Sequence, residues 1–311
     1  MCLFKWFKKD PVPFDEGFLD VGDNHQIHYM QFGNKKGIPV LCFHGGPGSS
    51  ARSGRARSFD LNKFRVILFS QRGCGKSRFK NLLEENTTLN SVKDAYLLLR
   101  GLKINSKVVV SGGSFGSTLA LLFALEYPQK VRAMSLSAIF LARQSDIEFP
   151  YQEMFKFYPD VKAEFQKLAG TRDIHSFFRE KIFSDKYQDI KMALQYYGAY
   201  ENQLGSMMPE FKAPSITDSK INNLKIFLTY VNNRMFLKEN YILKNIDKIK
   251  DIPCLIVHNR FDFCCSLENA WLLHKKMRRS TLIINDDYNH GSEKLKKRLK
   301  KESEKFFEKY L

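Results

Sequence analysis

No stretch of this chain is apolar enough, for long enough, to cross a bilayer, which takes about 20 such residues. The first nine residues mix Leu3, Phe4, Trp6 and Phe7 with lysines. They lack the apolar run of a secretory signal and suggest at most a weak interfacial contact. There is no internal repeat and no low-complexity linker, which excludes solenoid and tethered-array architectures. Cysteine is sparse and ill-placed for cross-linking. There are six; Cys42, Cys74 and Cys254 lie inside or beside apolar runs, and Cys264 adjoins Cys265. That is no disulfide framework, and it points to the reducing cytoplasm. Histidine numbers only seven, and no Cys/His spacing suggests a metal site, so neither metal nor cofactor is expected. Acidic residues are outnumbered, 33 against 50 basic, for a formal net charge of +17. Such a balance raises nucleic acid or anionic membrane as partners. The lysines are scattered, however, and no nucleic-acid motif accompanies them. The one dense run, 294–301, is followed by Glu302, Glu304 and Glu308 and reads as a solvated helix face. A basic binding protein without catalysis rests on charge alone.

What is present is a large apolar fraction, 43% of 311 residues, enough for one core with an insertion. Short runs at 27–32, 40–43, 65–69, 107–111, 133–137, 253–258 and 281–284 read as strands, with 17–21 as an edge strand. Their continuous Val/Ile/Leu character, rather than alternation, predicts parallel strands buried on both faces. Helical patterns at 91–102, 117–127 and 266–277 fall between them, so the expected class is α/β, a mostly parallel, doubly wound sheet. The segment 140–250 differs: it holds helical patterns at 174–183 and 191–200, many aromatics and no strand-like run. It is read as a helical cap inserted between core segments 1–139 and 251–311.

The chemistry concentrates where Val108, Val109, Val110 and Ser111 run into Gly112-Gly113-Ser114-Phe115-Gly116, followed by a small and apolar helix. A strand, a G-x-S-x-G turn and a helix form a nucleophile elbow. The turn is so tight that the serine takes strained dihedrals and its neighbours must be small. A serine there attacks an amide, ester or thioester and forms an acyl-enzyme. After the strand 40–43 come His44, Gly45, Gly46, Pro47 and Gly48. Their position assigns the oxyanion hole to the backbone of Gly45 or Gly46 together with that of Phe115. The fold demands its acid and base in that order, each after a later strand. Asp262 follows the strand 253–258, and His290 follows 281–284. His290 is therefore the candidate base and Asp262 its orienting acid. Asp286 and Asp287 lie too near His290 to sit on a separate strand; His258 comes too early, and His274 falls on a helix.

With these motifs in place the sequence resembles the proline iminopeptidase (prolyl aminopeptidase) family of α/β hydrolases. The carrying residues are His44–Gly48, then Gln71-Arg72-Gly73-Cys74-Gly75-Lys76-Ser77, then Gly112–Leu119, and Asn259-Arg260-Phe261-Asp262-Phe263-Cys264-Cys265 with Leu267-Glu268-Asn269-Ala270. The resemblance implies a serine peptidase that removes an N-terminal residue, preferably proline, from small peptides with a free N-terminus. It also implies cap glutamates that hold the substrate's amine. One falls on Glu201, after Tyr200; the second falls on Asn232, a neutral residue with Arg234 close by. The family's Asp before Gln71 is Ser70 here, and the Trp after the nucleophile is Phe115. The Asn232 and Arg234 departures keep a second reading open, an esterase or other acyl hydrolase using the same three residues.

Overall fold

The structure, a computed structural model, describes residues 10–206 and 213–310. A central sheet runs in the order β1-β2-β4-β3-β6-β7-β8-β9. Its strands are β1 (Asp15–Gly22), β2 (His25–Gly33), β3 (Ile38–Phe43), β4 (Phe64–Phe69), β6 (Val108–Ser114), β7 (Val131–Ile139), β8 (Cys254–Phe261) and β9 (Ser280–Tyr288). The two-residue strand β5 (Arg78–Phe79) pairs with β2. β2 is antiparallel to β1 and β4, and every pairing from β4 through to β9 is parallel. All eight strands expected from apolar runs are there; β5 is too short and exposed to leave a pattern.

Burial explains the layering. Val108, Val109 and Val110 are fully buried, so β6 needs cover on both faces. On one face lie α1 (Thr88–Gly101), α2 (Phe115–Glu126) and α10 (Leu267–Lys276), packed into one apolar cluster. α2 is apolar on every side because it is buried on every side, the pattern of a helix at the centre of a core. On the other face α11 (Glu293–Tyr310) turns Leu295, Leu299, Phe306 and Phe307 into a second cluster. Its lysines stand outward, and several find local acidic partners, such as Lys296 with Glu293 at 2.6 Å and Lys294 with Asp287 at 3.5 Å. The basic run is thus a solvated face of a packed helix, as its pattern implied.

Among the described residues, 140–250 contain helices only: α3 (Gln144–Gln152), α4 (Pro159–Ala169), α5 (Ile174–Phe183), α6 (Tyr187–Ala193), α7 (Ala199–Ser206), α8 (Asp218–Asn232) and α9 (Tyr241–Asn245). Side chains of this region form a third apolar cluster, rich in aromatics, around Phe155, Phe165, Phe178, Tyr197 and Tyr200. Caps set several helix starts. Asp173 accepts from Ser176 N at 2.8 Å to open α5, and Thr217 accepts from Lys220 N at 3.3 Å to open α8. The helical pattern at 191–200 is not one continuous α-helix: a π-helical turn, Leu194–Gly198, interrupts it between α6 and α7.

Candidate active site

The site is built where β6 hands over to α2. Ser114 sits at φ 57° and ψ −136°, a conformation a non-glycine residue holds only when its surroundings force it. Here they do so through close backbone approach. A Cβ on Gly112 would lie 2.0 Å from the Gly116 carbonyl oxygen, and one on Gly116 would lie 2.4 Å from the Phe43 carbonyl oxygen. Strand, turn and helix therefore approach too closely for any side chain there. Ser117 braces the turn by donating to the Ser114 carbonyl at 2.7 Å and accepting from Phe140 N at 3.1 Å. The Phe115 ring is fully buried, edge-on to Tyr230, so this residue offers the site only its backbone.

The glycine loop after β3 lies directly against Ser114. A Cβ on Gly45 would sit 3.2 Å from Ser114 Cβ and 3.7 Å from its Oγ. Gly46 has a φ of 118°, outside the range of ordinary side chains. His44 fixes the loop through both ring nitrogens. Its Nδ1 is 2.8 Å from the Gly45 carbonyl, and its Nε2 accepts from Gln71 N at 3.0 Å. That pair of bonds demands a neutral ring protonated on Nδ1, and burial lowers the His44 pKa to about 4. The Gln71 side chain adds a bond to the His44 carbonyl at 2.9 Å. The next residue anchors this strut: Arg72, fully buried, meets Asp94 twice, at 2.7 and 2.9 Å, and Asp23 at 2.9 Å. Removing one partner of such a pair strands a buried charge and typically costs about 3–5 kcal/mol.

Asp262 and His290 meet at the far end of the sheet. His290 Nδ1 lies 2.8 and 2.9 Å from the two Asp262 oxygens. Asp262 Oδ1 also accepts from Cys264 N and Cys265 N, each at 2.9 Å. Burial favours a protonated Asp262, but the His290 charge and hydrogen bond, His258 and the Cys265 amide outweigh it and hold the pKa below its ordinary value. Burial likewise opposes a charged His290, yet Asp262, with a contribution from Glu201, raises its pKa above the usual imidazole value. The Nδ1–H bond leaves Nε2 as the basic nitrogen. His258 serves the scaffold instead. Buried, it accepts from Ile139 N and donates to the Cys265 carbonyl, both at 3.0 Å, and so ties β7 to the acid's loop.

Ser114, His290, Gly45, Gly46 and Glu201 all line one cavity of about 690 Å³. Glu201 accepts a hydrogen bond from the Tyr151 hydroxyl. Burial dominates its electrostatics and raises its pKa to about 7, against the opposing influence of Tyr151 and His290. Asn232 stands elsewhere. Its Oδ1 accepts from Ser176 Oγ at 2.9 Å and its Nδ2 donates to the Leu228 carbonyl at 2.8 Å, while Phe227 and Val231 face the cavity. Those two are four residues apart on one side of α8; Asn232 is a further 100° around the helix. The position expected to touch substrate is therefore turned away from the cavity. Tyr151, which lines it beside Cys264, carried no signal in the sequence, because its place depends on packing across the helical region. Donor atoms of Asp262, Cys264 and His290 lie within 4.8 Å of one another. They suit a metal poorly: Asp262 already accepts two amide hydrogens, and burial with the nearby Asp262 and Glu201 carboxylates keeps the Cys264 thiol strongly protonated.

The alpha/beta hydrolase fold family matches residues 38–292. A proline iminopeptidase of Arabidopsis thaliana is 34% identical over 290 residues, covering 90% of this chain and 76% of that protein. One from Xylella fastidiosa is 34% identical over 293 residues, covering 90% and 92%. The chain belongs to the proline iminopeptidase family of α/β hydrolases. A solved α/β-fold hydrolase from Bacillus anthracis, 14% identical, superposes with a TM-score of 0.62 over 96% of this chain and all of that one, and supports the fold alone. Within the iminopeptidase family pattern, the departure at Ser70 has a local account. Its Oγ accepts from Ala51 N at 3.2 Å, so the small hydroxyl holds the loop at Ala51, while its backbone carbonyl accepts from Ser77 Oγ at 2.8 Å as any residue's would. Among the described residues no helix is long and apolar enough to cross a membrane.

Proposed function

We propose that this protein is a serine aminopeptidase that releases N-terminal proline, or a similar residue, from small peptides. Ser114 Oγ attacks the carbonyl of the first residue while His290 Nε2 takes its proton. Asp262 holds the imidazole in the required tautomer and stabilises the cation that forms. Amides of the Gly45-Gly46 segment and of Phe115 receive the oxyanion; losing one such donor typically costs about 3–4 kcal/mol. His290 returns its proton to the leaving amine, and water then hydrolyses the acyl-enzyme. Residues 140–250 act as a cap, bringing Tyr151, Glu201, Phe227 and Val231 over the nucleophile. The reducing cytoplasm suits the five described cysteines, all of them unpaired.

The observation that carries this reading is Glu201, a partly buried carboxylate with a raised pKa in the same cavity as Ser114 and His290. A buried carboxylate in an apolar wall is costly unless it meets a cation. The free α-ammonium of a peptide supplies that cation one residue-length from the scissile carbonyl. Chromogenic prolyl amides should be cleaved, their N-acylated counterparts should not, and Ser114→Ala should abolish turnover. Faster cleavage of short acyl esters than of any free-amine substrate would favour the esterase reading instead.

A further inference from the structure

The cavity that holds Glu201 does not carry one sign of charge throughout. Arg52, Arg55 and Lys296 also line it. A second cavity, also about 690 Å³, shares these three residues along with Gly45, Ser49 and Gly113, and continues toward α11. Glu201 and Tyr151 line only the first cavity, whereas Arg57, Lys297 and Lys300 line only the second. The oxyanion loop therefore has a carboxylate on one side and a basic recess on the other. Among the described residues Glu293 is the one acidic residue lining that recess, and it pairs with Lys296 at 2.6 Å. Arg57 pairs with Asp10 at 3.1 Å.

Arg55 stands apart from these. It is partly buried where the two cavities meet, and burial pulls its pKa below the ordinary guanidinium value. Among the described residues no carboxylate pairs with it. Its guanidinium donates from Nη2 to Ser111 Oγ at 3.0 Å. Ser111 lies on β6, three residues before the nucleophile, so the hydroxyl fixes the guanidinium beside the reaction centre. An enclosed guanidinium with a neutral partner retains donors for a planar anion, and a carboxylate matches its fork.

We propose that Arg55, with Arg52 and Lys296, forms a subsite for the free C-terminal carboxylate of a di- or tripeptide. This deepens the aminopeptidase reading and rests on it. The ammonium end of such a peptide meets Glu201, its first carbonyl meets Ser114, and its carboxylate end meets the basic recess beyond Gly45. A zwitterion one or two peptide bonds long then matches the polarity of the site at both ends. Longer chains place no carboxylate there and gain nothing from Arg55.

The test compares three substrates on the full chain: Pro-Ala, its C-terminal amide Pro-Ala-NH₂, and a chromogenic prolyl anilide. Release of proline from the first two is followed at pH 8. Wild type should favour the acid over the amide in kcat/KM by roughly tenfold to a hundredfold, the span of one charge-assisted hydrogen bond. Arg55→Gln should bring that ratio close to one. Arg52→Gln and Lys296→Gln, made at positions where folding is not at stake, should each lower it by a few-fold. Equal rates for acid and amide in a wild type that cleaves the anilide would overturn the subsite and leave the aminopeptidase reading standing. So would a ratio unchanged in all the variants. Failure of wild type to release proline from any of the three substrates would overturn both.

Discussion

Replacing Glu201 with Gln should make the protein more stable and less active at the same time, and both effects follow from one partly buried carboxylate. Glu201 titrates near pH 7 rather than at 4.5, chiefly because it is buried. Below pH 4.5 it is protonated in the folded and the unfolded chain alike. As pH rises the unfolded chain ionises first, so stability falls until the folded group follows near pH 7, and is level above that. Keeping the carboxylate ionised at pH 8 then costs the folded state about 3 kcal/mol relative to an ordinary glutamate. Gln keeps an acceptor for the Tyr151 hydroxyl and removes the charge. Glu201→Gln should therefore raise the urea midpoint at pH 8 and leave it almost unchanged at pH 4. The penalty appears in catalysis. Truncating one side of a desolvated, hydrogen-bonded charge pair removes about 2–5 kcal/mol, or roughly 30-fold to several-thousandfold in kcat/KM for a prolyl amide with a free amine. The assay is kcat/KM for that substrate and for an acyl ester without an amine, on both proteins, beside urea unfolding at the two pH values. A variant that lost the same factor on both substrates, or was destabilised at pH 8, would refute the reasoning.

Other outcomes follow from the same geometry. Asp262→Asn should lower kcat on the order of ten-thousandfold by leaving His290 in the wrong tautomer, while fluorophosphonate labelling of Ser114 slows in step; an Asn variant within about tenfold of wild type would show that another group orients the base. Gly45→Ala places a methyl 3.2 Å from Ser114 Cβ, so turnover should drop with little change in melting temperature, as thermal unfolding beside steady-state kinetics would reveal. His44 acts on the acid side. Its pKa of about 4 lies below the ordinary 6.5, so its contribution is complete above pH 6.5 and fades as pH falls toward 4. The loss should reach about 3 kcal/mol, and His44→Gln should flatten the dependence of the urea midpoint on pH between those values.

Much of this architecture can be read from residue order. Central strands such as Val108-Val109-Val110 are apolar on both faces because helices cover both, and that leaves an unmistakable local pattern. Ser114, Asp262 and His290 are legible because the fold prescribes which strand end each occupies, and Asp262 and His290 are indeed found in contact. What stays hidden depends on packing between distant segments. Tyr151 reaches Glu201 across 50 positions, and Arg55 reaches Ser111 across 56; neither spacing forms a motif. Asn232 misleads because a linear match ignores rotation: one step from Val231 along α8 swings a side chain from the cavity to Ser176. The π-helical turn at 194–198 is equally silent, since its residues look like any other helical run.

The contact between Gly48 and α8 bears on how substrate choice can change in this protein. A Cβ on Gly48 would lie 2.5 Å from the Asn223 carbonyl oxygen, and the Asn223 side-chain amide, turned toward its acceptors, donates to the Gly48 carbonyl at 2.6 Å. The same helix presents Phe227 and Val231 to the cavity that Ser114 lines. Sliding α8 to reshape that wall would drag the glycine loop proposed to receive the oxyanion. New preferences must therefore come from exchanging side chains on a fixed rod, and a graft of the whole helix from a relative would carry a catalytic penalty.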